Sequence, residues 1–169
     1  MTEVLQAALI GDYDSWLLNA GANKVVAINS PDDDGTSEIT TNTDNNRQSF
    51  SLVASAIPAG STINSVAVTC RIGNTWGGGG VSSSLRLAST NQDGPANPMP
   101  GGSWTSYTDI IARPGGGSWS LADLATLQVG LLALTLGGSW VHVTTLYINV
   151  DYTAGAGGPT GTGDMLLVF

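Results

Sequence analysis

His142 is the only histidine in the chain, so any Ser-His-Asp or Cys-His mechanism would have to run through it. It stands just after Gly137-Gly138, at the head of an alternating stretch. No nucleophile motif lies near it, and no Gly-x-Ser-x-Gly elbow exists. We read His142 as structural or solvated. Cys70 is the single cysteine, which excludes an internal disulfide and a cysteine-based metal site. It falls among apolar residues of a predicted strand and reads as a small buried hydrophobe. Zinc takes several His or Cys ligands, so no zinc site is expected. Asp32-Asp33-Asp34 is the densest charge, and hard cations take carboxylate oxygens. Consecutive side chains diverge, however, and the spaced Asp-x-Asp-x-Asp-Gly pattern with a distal Glu is missing, so a solvated turn is expected. Glycoside hydrolysis uses a carboxylate pair. The acids here are mostly Asp in turns, with Glu only at positions 3 and 38. The glycine runs Gly77–Gly80 and Gly115–Gly117 lack the Gly-Lys-Ser/Thr of a phosphate loop. We therefore expect no catalytic residue, no metal and no cofactor: a protein that is not an enzyme.

What remains is recognition chemistry. Of the five tryptophans (Trp16, Trp76, Trp104, Trp119 and Trp140), four sit beside Gly or Ser at predicted loops and turns. Such aromatics plug the ends of a core, fill subunit contacts, or stack on sugar rings. Trp76, Trp104 and Trp140 are the candidates for an interface or glycan contact. A second feature is the run Met165, Leu166, Leu167, Val168 and Phe169, an apolar hook that follows a Gly-rich spacer over 154–163. Left exposed, it would be an aggregation hazard. The spacer reaches roughly 16–19 Å as a coil and about 33–36 Å at full stretch. The hook, with Val4 and Leu5 of the N-terminal segment, is the expected assembly interface.

These residues need a scaffold, and the rest of the sequence describes one. At 169 residues the chain has the length of one domain. Charged residues make up only 11% and Gly contributes 23, which suits a turn-rich β protein. Thr62 to Ile72 alternates with Val66, Val68, Cys70 and Ile72 on one face. Val141 to Tyr152 does the same with Leu146, Ile148, Val150 and Tyr152. Further strands are expected at 24–29, 36–41, 48–54, 81–90 and 129–134, with a short edge strand at 107–111. Asn91 to Gly102 reads as a long Pro/Gly/Asn loop. Ser120, with Asp123 three residues on, opens one brief helix as a capping box. The expected fold is all-β: an antiparallel β-sandwich, jelly-roll-like, with one short helix and extended apolar termini. The expected division is an arm over 1–20, the sandwich over 21–153, the spacer over 154–163 and the hook over 164–169.

Charge narrows the partners. The net charge is −8, and the five bases are scattered. Without a basic stripe to displace counterions, no nucleic acid is expected as a partner. No run of eighteen apolar residues suggests a membrane span. The N-terminus lacks the basic and apolar regions of a signal peptide. The chain is expected to be made in a cytoplasm, and either to stay there or to leave by a route other than secretion, such as lysis.

The stretch Ala56-Ile-Pro-Ala-Gly-Ser-Thr-Ile-Asn-Ser-Val-Ala-Val-Thr-Cys-Arg71 also carries a resemblance. So do Pro114-Gly-Gly-Gly-Ser-Trp-Ser-Leu-Ala-Asp-Leu-Ala-Thr-Leu-Gln-Val-Gly130 and Val141 to Tyr152. Together, over about residues 30–152, they resemble virion structural proteins of tailed bacteriophages. The resemblance implies a β-sandwich displayed on a virion and offers no catalytic residues to carry over. The function it implies is a capsid decoration (cement) protein. Such a protein would be a homotrimer on the capsid surface, bound to itself and to the major capsid protein or another virion protein. The alternative is a glycan- or receptor-binding domain of a phage head or tail fibre.

Overall fold

The computed structural model describes residues 1–29, 35–74, 78–99 and 101–155. The Asp32–Asp34 turn, Trp76, most of the spacer and the hook Met165–Phe169 lie outside the described residues. In chain order the elements are β1 (Thr2–Asp14), β2 (Leu17–Ala20), α1 (Lys24–Asn29), β3 (Glu38–Thr41), β4 (Arg47–Leu52) and β5 (Thr62–Asn74). Then come β6 (Gly80–Leu87), β7 (Thr90–Pro98), β8 (Trp104–Ile110), α2 (Leu121–Leu124), β9 (Gln128–Ala133) and β10 (Val141–Thr153).

Every strand pairing is antiparallel. One sheet runs β3-β10-β5-β8, the other β4-β9-β6-β7. From β3 to β10 this is the strand order of a jelly roll, as the sequence led us to expect. β2 extends the first sheet beyond β3. The two sheets close on the residues picked out by period-2 alternation. Val66, Val68, Cys70, Ile72, Leu146, Ile148 and Val150 are fully buried, and so are Phe50, Val81, Leu85, Val129 and Leu131 from the second sheet. Asp109 ties the layers together. It accepts from Ser83 Oγ at 2.8 Å and Asn97 Nδ2 at 2.6 Å, so this buried carboxylate on β8 is satisfied by β6 and β7.

Three elements differ from the sequence reading. The expected arm is a structural strand: Thr2–Gln6 of β1 pair with β10, and from Ala7 onward β1 pairs with β4. β1 thus belongs to both sheets, and irregularities between Ala7 and Leu9 and between Ile10 and Asp14 accompany the move from one to the other. Residues 24–29 form helix α1 rather than a strand. The β-branched residues misled. Asn23 decides the matter, because its Oδ1 accepts from Val26 N at 2.9 Å while its carbonyl accepts from Ala27 N. Ala27 and Ile28 then bury one face of the turn. Residues 91–102, read as a loop, include most of β7. As an edge strand bonded, among the described residues, to β6 alone, β7 tolerates Pro95 and Pro98, and its polar side chains find partners across the sheet. Arg47 holds Asp93 through two bonds of 2.8 and 2.7 Å.

Candidate functional site

Four strands of the first sheet present a single row of residues on the face away from the core. His142 of β10 lies opposite Thr40 of β3 on one side and Gly73 of β5 on the other, and Gly73 lies opposite Trp104 of β8. Directly opposed residues of antiparallel strands share a face. The neighbours Ile39, Ile72 and Val143 point the other way and are fully buried.

Gly73 shapes the row. A Cβ at that position would lie 2.7, 2.7 and 2.8 Å from three atoms of the Trp104 indole. Nearly equal distances mean that the flat of the ring, not its edge, covers the β5 backbone. Any side chain here would lift the indole, so the bare backbone is what lets Trp104 lie down. The ring is half-buried, with one face on Gly73, and it lines a groove.

Beside the ring stands an ordered polar group. His142 Nδ1 is 2.9 Å from Glu38 Oε1. A carboxylate only accepts, so Nδ1 carries the proton and Nε2 is the remaining polar atom of the ring. Glu38 Oε1 also accepts from Asn19 Nδ2 on β2. Both side chains are well packed, 20% and 7% exposed. Glu38, Asn74, Gly102, Ser103, Trp104 and His142 enclose a groove of about 280 Å³. That is near the lower bound of ~300 Å³ for ligand clefts. Gly102 sits at φ 67°, a left-handed conformation that suits glycine, and its N–H donates to Asn74 O at 2.8 Å.

The predicted candidates separate. Trp104 lines the groove. Trp140, 37% exposed, stands at the lead-in to β10 and does not line it. Trp16 is core, with its Nε1 donating to Asn46 O, and Trp119 packs against the core. Trp76 and the hook residues lie outside the described residues. Val4 is exposed. Leu5 is 1% exposed and packed between the sheets, so its assignment to an assembly interface is corrected: alternation along β1 turns it inward. His142, read as structural or solvated, is held by a carboxylate and also lines the groove. Glu38, Gly73, Asn74 and Asn19 were missed. The available signal was an isolated Gly inside a strand pattern, which marks a close backbone approach. The alternation over Thr62 to Ile72 stops one residue short of it.

Among the described residues no three His, Cys, Asp or Glu side chains group to hold a metal ion. Cys70, deeply buried, has its thiol pushed up to about 12 by burial, which keeps it an uncharged core group.

No family model matches the chain, and no curated protein matches it. Solved structures similar in fold include the C-terminal CBM6 of LamC, a marine laminarinase from Zobellia galactanivorans. It is 12% identical with TM-score 0.45, over 89% of this chain and 100% of that one. The CBM36-1 domain of a multidomain xylanase from the hindgut metagenome of Trinervitermes trinervoides is 12% identical with TM-score 0.44, over 92% and 99%. The Agl-KA catalytic domain aligns over 87% of this chain and 28% of its own, at 12% identity and TM-score 0.37. At this identity the likeness is one of fold alone.

Proposed function

We propose that the chain is a non-catalytic glycan-binding β-sandwich, and that the groove beside Trp104 takes a sugar ring. One observation carries this reading: an indole laid flat by Gly73, next to a histidine whose orientation is fixed by a buried carboxylate. A sugar ring offers a C–H face that suits an aromatic plane and hydroxyls that need donors and acceptors at its rim. Small-ligand sites combine an apolar platform with a few well-placed polar groups in this way. Trp104 supplies the platform; His142, Ser103 and Asn74 line the rim. Binding rather than hydrolysis is favoured because Glu38 is the one carboxylate lining the groove among the described residues, and it is already held by His142 and Asn19. Glycoside hydrolysis takes two carboxylates. The sequence resemblance supplies a setting for such a module, a head or tail fibre of a tailed phage.

The test is a glycan array on the full chain, followed by calorimetry on the best ligand. Trp104→Ala should weaken binding at least tenfold, whereas Trp140→Ala leaves it unchanged. An array without a ligand, or a loss confined to Trp140→Ala, would overturn the assignment. The second reading, a capsid-decorating homotrimer, takes its support from a different surface: the apolar residues along β1, β2 and α1.

A further inference from the structure

Among the described residues, a second, apolar groove has no part in the glycan site. Leu9 is 69% exposed, Val26 47%, and Ile10 and Leu18 each 38%. Ala8, Leu9 and Ile10 of β1, Leu18 of β2 and Val25 and Val26 of α1 line a groove of about 600 Å³, with the Asp14–Lys24 ion pair at its rim. A contiguous apolar patch of this kind marks an interaction site. It also lies along an open strand edge. From Ala7 onward β1 pairs with β4 on one side; among the described residues no strand pairs with its other side, where α1 lies and Asn29 Nδ2 donates to Ala7 O at 2.8 Å. An open edge beside an apolar trough accepts an added strand, with main-chain bonds for affinity and pockets for alternate side chains.

We infer that this groove receives the apolar segment Met165–Phe169 of a second copy of the chain. The segment has the matching chemistry, five successive large apolar residues. Its tether determines whose groove it reaches. β10 delivers the chain to the Met1 end of β1: Tyr152 N donates to Met1 O at 2.8 Å, and Gly155 lies against Gly60. The groove starts at Ala8, seven residues further along β1, roughly 23 Å away at strand rise. Residues 156–164 span at most about 30–32 Å when fully drawn out. As a coil they would span only about 15–18 Å. Reaching the chain's own groove would thus draw the tether out to about three-quarters of its full length, well beyond its coil span. A second copy can bring its groove up to the exit point instead, leaving the tether slack.

The experiment is light scattering on the full chain and two full-length variants: Leu166→Asp with Leu167→Asp in the hook, and Leu9→Asp with Val26→Asp at exposed groove positions. The wild type should show a mass at least twice 17.2 kDa, and each variant alone 17.2 kDa. A mixture of the two variants should recover a dimer, since one intact hook then meets one intact groove. A monomeric wild type overturns the inference. So does a hook variant or a groove variant that still self-associates, or a mixture that does not recover. A second measurement does not depend on the charged variants folding. In a chain carrying Val26→Cys and Leu167→Cys, oxidation should trap a covalent dimer on a non-reducing gel. Buried Cys70 does not interfere. A trapped monomer, or no trapping at all, rejects the sister-copy assignment.

Discussion

Gly73 and Trp104 illustrate how a missing side chain can be a functional one. An alanine at position 73 would put a methyl carbon 2.7 Å from the indole, well inside van der Waals contact, and the ring would have to rise off the strand. Gly73→Ala should therefore lower glycan affinity at least tenfold while the chain stays folded, as read by calorimetry together with the near-ultraviolet signal of the displaced indole. Unchanged affinity would mean that the ring does not need its flat seat. Val4 and Leu5 provide a second contrast between adjacent residues. Leu5 is buried between the sheets, so Leu5→Ala should cost about 2–5 kcal/mol in denaturant unfolding. Val4 is 52% exposed, so Val4→Ala should stay within about 0.5 kcal/mol. Equal losses would show that the faces of β1 are assigned wrongly.

Among the elements, α2 is the most completely specified by its own residues. Ser120 Oγ accepts from Asp123 N at 3.3 Å and Ser120 N donates to Asp123 Oδ2 at 2.8 Å, which closes the capping box. Arg113 grips the same carboxylate through bonds of 2.9 and 2.8 Å. The Arg113 guanidinium first, and then the Ser120 hydroxyl and amide, hold Asp123 well below the usual carboxylate range, at about 2. A carboxyl group whose folded pKa lies below its unfolded value adds stability above that unfolded value of 3.8, and loses it as pH falls toward 2. The chain should therefore lose melting temperature between about pH 4 and 2, and Asp123→Asn should flatten that part of the acid profile. An acid limb with the same slope in the variant would rule out this source. Ser120→Ala should cost about 1 kcal/mol by loss of the cap. α1 is the opposite case. Its Val-Val-Ala-Ile pattern favours a strand by propensity, and only Asn23 and the packing of Ala27 and Ile28 make it a helical turn.

At the scale of the molecule, the jelly roll rests on β10, which lies at the centre of the first sheet between β5 and the shared edge of β3 and β1. Its inward residues meet the second sheet, so damage there affects both layers. Ile148 is fully buried, and Ile148→Ala should cost about 2–4 kcal/mol in equilibrium unfolding. A change within about 0.5 kcal/mol would mean that the core lies elsewhere. The same architecture separates two surfaces with different chemistry. The aromatic-polar groove lies on the outer face of the first sheet, and the apolar groove lies along the open edge of β1.

Period-2 alternation was enough to name the core of β5 and β10, because a buried face leaves its mark on every second residue. Capping chemistry was enough to place α2, because it acts over three residues. The all-β class followed from turn residues at short intervals. Pairings between distant segments were not legible. Gly73, Trp104, His142 and Glu38 are separated by tens of residues, and only the strand order β3-β10-β5-β8 sets them side by side. Leu5 looked like part of a loose apolar arm until β1 was paired with β10 and β4. Local signals fix what each segment becomes, whereas a site built across a sheet depends on which strands become neighbours, and no single segment carries that information.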